Sequence, residues 1–177
     1  MRLLRFIARL RFLSEPRRLE LYPPFFLMRV KVVEMHDEWR SFRIRLPLNK
    51  ISRNPGGLLF GGWQAALADP MAAFACARIF RDYSVWTRAM HIDFHHGAET
   101  DLELRFEMTP EQEERIRGQL EREGRATPRF RYTLHDASGR VCTEVTNTVA
   151  IRPKGYRKTG AAEIGQNADR SVDLGDL

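Results

Sequence analysis

Residues 58–80 read LLFGGWQAALADPMAAFACARIF, and this stretch decides the fold. Seven alanines lie between Trp63 and Phe80, and polar side chains interrupt the run only at Gln64, Asp69 and Arg78. Ala65-Ala66-Leu67-Ala68 is strongly helix-forming. A helix that is apolar on nearly every side is enclosed by its own protein, and its alanines let a sheet approach closely. The run falls short of the ~20 apolar residues of a membrane span and contains Asp69, Pro70 and Arg78. Gly61 and Gly62 stand where a loop rich in Asn, Pro and Gly (49–57) feeds into it.

On either side of this helix the apolar period changes to two. Val30 and Val32 answer Phe42, Ile44, Leu46 and Leu48 across the polar turn His36-Asp37-Glu38, which reads as a hairpin. Downstream, Trp86, Met90, Ile92 and Phe94 are expected on one strand face, and Leu102, Leu104, Phe106 and Met108 on the next. Pro110 opens a short charged helix that Gly124 closes. Two final strands carry Phe130, Tyr132 and Leu134, then Val141, Thr143, Val145, Asn147, Val149 and Ile151, joined by an Asp136–Gly139 turn. The economical solution is an α+β domain, an antiparallel sheet of about six strands wrapped around one long apolar helix. Its expected extent is 22–153, entered at Pro23-Pro24. An amphipathic segment (1–21) precedes it and a polar tail (154–177), expected to be disordered, follows.

The 177 residues suit one domain, and 43% hydrophobic against 29% charged composition supports a real core. The net charge of +6 equals that of residues 1–31 alone, where eight basic residues face Glu15 and Glu20. The rest of the chain is neutral, which argues against a nucleic-acid module. Leu3, Phe6, Ile7 and Leu10 share one helical face opposite Arg2, Arg5 and Arg9; the segment either docks on its own domain or touches a membrane surface. Cys76 and Cys142 show no disulfide or zinc spacing and fit a reducing cytoplasm. His91, His95 and His96 lack the partners of a metal site, so no metal is expected.

Chemistry concentrates at the helix start. Unpaired N–H groups and the positive dipole end there suit an oxyanion or a polarised carbonyl. Asp69 lies eight residues beyond Gly61, ~12 Å along the helix, too far to serve the same carbonyl. A second copy of the helix, as in a two-fold dimer, would bring the two groups together. The competing reading makes Asp69-Pro70 the cap and first turn of a helix that begins only there. A carboxylate inside an apolar helix is expected to be buried, and such a group is costly unless paired or hydrogen-bonded.

The pattern Asn54-x-Gly56-Gly57-x-x-x-Gly61-Gly62 followed by Leu67-Ala68-Asp69 resembles the signature of hotdog-fold acyl-CoA thioesterases of the phenylacetate-degradation type. Ile92-Asp93-Phe94 followed by Gly97 resembles the strand after that family's helix, and 22–152 is similar to a little-characterised hotdog branch. The resemblance implies thioester hydrolysis of an acyl-CoA-like substrate by a homodimer or tetramer, without metal or redox cofactor. Asp69 would serve as general base or nucleophile, the Gly61 N–H would polarise the carbonyl with help from Gly62, and Asn54 would orient water or thioester. Gly57, Phe60 and His91 are expected to border the substrate. Gly56 and Phe60 replace two histidines of the family pattern. Two alternatives remain open: a non-catalytic acyl- or lipid-binding protein, and a hydratase or dehydratase.

Overall fold

The computed structural model describes residues 13–156. The amphipathic face expected in 1–12 and the tail expected beyond 156 lie outside the described residues. Two short helices, α1 (Glu15–Glu20) and α2 (Pro23–Met28), precede strands β1 (Lys31–His36) and β2 (Ser41–Leu46). The long helix α3 (Gly61–Ile79) follows, then β3 (Tyr83–Phe94), β4 (Leu102–Glu107), α4 (Pro110–Glu123), β5 (Arg129–His135) and β6 (Val141–Pro153). The strands form one antiparallel sheet in the order β1-β2-β4-β5-β6-β3. Pro23-Pro24 begins α2 instead of breaking the chain, because proline fits the first helical turn, where its missing N–H costs nothing.

The central strands bury one face on the side that carries α3. Phe42, Ile44 and Leu46 of β2, Leu102, Leu104 and Phe106 of β4, and Thr143, Val145, Asn147, Val149 and Ile151 of β6 all lie in the interior. The expected β1–β2 hairpin forms, with Asp37, Glu38 and Trp39 at positive φ in its turn. That turn folds the Trp39 ring inward, edge-on to Phe42 and Phe74. Helix α4 is punctuated as expected: Thr109 forms a capping box with Gln112, and Gly124 closes the helix at φ 66°.

One strand departs from simple alternation. The β3–β6 register shifts between Thr87 and Ala89, a bulge that reverses the phase of the side chains. Val85 and Thr87 pair with Ile151 and Val149 of the core face; beyond the bulge Met90, Ile92 and Phe94 pair with Asn147, Val145 and Thr143. Trp86 therefore does not share a face with Met90, Ile92 and Phe94. It pairs with Ala150 on the outer face and is partly exposed.

Helix α3 is enclosed over half its length only. Every residue from Met71 to Ala77 is buried, with Phe74 packed edge-on to Tyr22, Phe25 and Trp39. Glu15 of α1 ties this cover down, accepting from Trp39 Nε1 at 2.8 Å and pairing with Arg78 of α3. Before Pro70 the helix is open on one side, where Gly62, Ala66 and Asp69 form an exposed stripe.

Candidate functional site

The loop before α3 is built by short side chains that bond back to the chain. The buried Ser52 hydroxyl accepts from Asn49 N at 2.8 Å and donates to the Pro47 carbonyl at 2.7 Å. Asn54 Oδ1 accepts from Leu58 N at 3.0 Å, and Gly57, at φ 84°, closes the turn by donating to the Asn54 carbonyl. Leu59 N then bonds Ala98 O and Phe60 N bonds Ser52 O, fixing where the helix begins. The half-buried Asn54 thus has one side-chain role already settled: its oxygen holds the glycine turn, and its Nδ2 is the end left for other work.

Phe60 is the N-cap of α3, without a side-chain cap, and Trp63 and Gln64 donate to its carbonyl. The N–H groups of Gly61 and Gly62 precede those first helical bonds, as the orphan donors of a helix start do. Two half-exposed rings flank them, Phe60 (51%) and Phe94 (50%). A Cβ on Gly61 would stand 3.0 Å from the Phe94 ring, and one on Gly62 would stand 2.3 Å from the Phe60 ring. Glycine at both positions lets these rings close on bare backbone.

Asp69 lies inside α3, so the reading in which Asp69-Pro70 starts a new helix is excluded. The expectation of a buried carboxylate is also overturned: Asp69 is exposed. The reason is geometric, since it continues the Gly62–Ala66 stripe at helical spacing, and that stripe faces away from the sheet.

The interior polar groups hold its main chain instead. Pro70 brings no N–H to the helix, leaving the Ala66 carbonyl without its usual donor. Just beyond, Tyr132 Oη donates to the Ala68 carbonyl at 2.6 Å, and Asn147 Nδ2 and Thr87 Oγ1 donate to the Asp69 carbonyl at 2.8 and 2.7 Å. Asn147 Nδ2 also reaches Tyr132 Oη at 3.1 Å, and burial pushes the Tyr132 phenol up, with the Asp69 charge adding to the shift. One turn into the helix, Thr143 Oγ1 donates to Gln64 Oε1, whose amide donates to the Leu59 carbonyl. Gln64, Thr87, Tyr132, Thr143 and Asn147 were missed as site-building residues. The signal is present for three of them: Gln64 is a polar residue of the apolar helix, and Thr143 and Asn147 are polar residues on the apolar face of a strand.

The structure brings Asn54, Gly57, Phe60, Gly61 and Gly62 together in one loop and helix start. Asp69 sits two turns along the same helix. His91 falls elsewhere: it is exposed, and its register with Thr146 sets it on the outer face of β3, away from α3. Among the described residues no group of three or more His, Cys, Asp or Glu side chains is placed to hold a metal ion. A hollow of about 770 Å³ lies on the outer sheet face beside Arg43, Arg45, Glu103 and Asp136. Arg43 pairs with Glu103 there at 2.8 Å and Asp136 with Arg140 at 3.0 Å, and α3 lies across the sheet from it.

The family model for "Domain of unknown function (DUF4442)" matches residues 18–151. The chain belongs to the DUF4442 family. No curated protein matches this DUF4442 chain. Solved structures do. A Pseudomonas aeruginosa protein described as of unknown function and "Probable Thioesterase" superposes with a TM-score of 0.65 at 17% identity, covering 73% of this chain and 86% of that one. A Haemophilus influenzae thioesterase gives 0.61 at 10% identity over 79% and 90%. A Staphylococcus aureus thioesterase enzyme gives 0.54 at 16% over 71% and 95%. At these identities the likeness establishes the fold alone: the DUF4442 chain has the hotdog fold.

Proposed function

We propose that the protein hydrolyses acyl-CoA-like thioesters as a homodimer. The observation that carries this reading is the placement of Asp69, a carboxylate set inside α3 on an open stripe, two turns from the free N–H groups of Gly61 and Gly62. The two cannot meet on one helix, and β3 offers the means to join two copies. It is an edge strand of 12 residues with one side unpaired, which is a ready template for pairing with another chain.

In this reading the thioester carbonyl points at Gly61 N–H of one subunit, where developing negative charge meets the helix dipole and two preorganised donors. Asp69 of the other subunit takes a proton from water as it attacks the carbonyl carbon, and the thiolate leaves with a proton returned from solvent or from Asp69. Asn54 Nδ2 orients the water or the thioester. Phe60 and Phe94 shield the reacting carbon from bulk water, which strengthens both interactions. The steps use no metal or redox group. Free, buried Cys76 and Cys142 fit a reducing compartment such as the cytoplasm.

The named thioesterases among the similar structures support the same chemistry. A panel of acyl-CoA thioesters with free-thiol readout tests it. Asp69→Asn is expected to lose turnover by about 10²-fold or more while the dimer stays folded; unchanged thiol release would remove the mechanism. One observation favours a second reading, a non-catalytic acyl-binding protein: the exposed Phe60 ring stands where the family pattern has a histidine. Tight acyl-CoA binding without thiol release from any substrate would select it.

A further inference from the structure

We propose that the outer face of α2 docks on an anionic lipid bilayer. In this six-residue helix Phe25 and Met28 turn inward and are buried. Phe26 and Leu27 consequently point outward together, 65% and 60% exposed, the two most exposed large apolar residues described. No sequence constraint of the fold asks for them, since the inward pair already anchors the helix.

The charge around them selects the occupant. Arg29 follows immediately, exposed and with a left-handed backbone at φ 57°, and it enters no ion pair among the described residues. Arg17 and Lys31, with side chains 63% and 49% exposed, both reach Glu20, so one carboxylate faces two cations. Residues 1–31 hold the whole +6 of the protein, and α2 lies within them. An apolar pair inside a basic surround is the combination that binds an acidic membrane: the side chains enter the acyl boundary and the cations meet phosphate headgroups. No described helix is long and apolar enough to cross a membrane, so the contact is peripheral. It places the protein beside the phase in which long-chain acyl thioesters partition, but it does not depend on the proposed hydrolysis.

Cosedimentation of the full chain with vesicles tests it. Binding is expected to phosphatidylcholine vesicles containing phosphatidylglycerol, to fall with added salt, and to be weak on phosphatidylcholine alone. Phe26→Ser with Leu27→Ser should lower the bound fraction by about tenfold or more. Arg29→Glu should lower it as well. Circular dichroism melting checks that the exposed substitutions leave the fold intact, and should the double variant misfold, Arg29→Glu alone decides. Equal binding by a folded double variant would overturn the proposal, as would no binding by the native chain. A change in oligomeric mass on mutating Phe26 and Leu27, without vesicle binding, would instead assign this face to a second copy.

Discussion

Three side-chain donors converge on the two main-chain carbonyls of Ala68 and Asp69, from Tyr132, Asn147 and Thr87. They fix the backbone beside Pro70, where the helix has lost an amide donor, and leave the Asp69 carboxylate turned outward. Removing the phenol by Tyr132→Phe takes the second donor from the Ala68 carbonyl and deprives Asn147 Nδ2 of one of its two acceptors. We expect a loss of about 0.5–1.5 kcal/mol in urea denaturation. The thiols behave oppositely to reactive groups: burial pushes both Cys76 and Cys142 up, keeping them protonated. Neither should react with a thiol reagent in the native protein, and both should after unfolding. Asp69 was legible in the sequence as the odd carboxylate of an apolar helix. Its exposure was not, because composition does not say which side of a helix the neighbouring elements leave uncovered.

At the scale of elements, the hydrophobic pattern marked each of the six strands and both longer helices. It failed where one inserted residue changed the phase. The bulge in β3 sends Trp86 outward and Thr87 inward to Asp69, so a local backbone irregularity creates a site contact that alternation alone would assign to the surface. Phe74 joins α3 to the cover made by α1, α2 and the β1–β2 turn, and Phe74→Ala should cost about 3–5 kcal/mol by chemical denaturation. The β5–β6 turn carries a pH signature. Hydrogen bonds led by the Ser138 hydroxyl, with the Arg140 and Ser138 backbone, hold the Asp136 carboxyl down at about 2 from an ordinary 3.8. A depressed acid contributes stability above its unfolded value and loses it as pH falls through its folded value. Melting temperatures should therefore decline between roughly pH 4 and pH 2 with a slope that Asp136→Asn reduces.

For the whole molecule, the proposed pairing through β3 makes the dimer the functional unit. Sedimentation equilibrium should give about twice the 20.6 kDa chain mass; a monomer at working concentration would leave Asp69 without a carbonyl to serve. The sequence by itself determined the α+β class, the six strands and the central helix, and it marked Asn54, Gly61 and Asp69 as candidates, because periodicity, glycines and a lone acid are local signals. The tertiary structure alone decided that α3 is enclosed only beyond Pro70, that Asp69 is exposed while its carbonyl is clamped from β3 and β6, and that His91 faces the other way. Those facts depend on which elements cover which faces and on the strand phase after a bulge, and both are set by contacts between residues far apart in the chain.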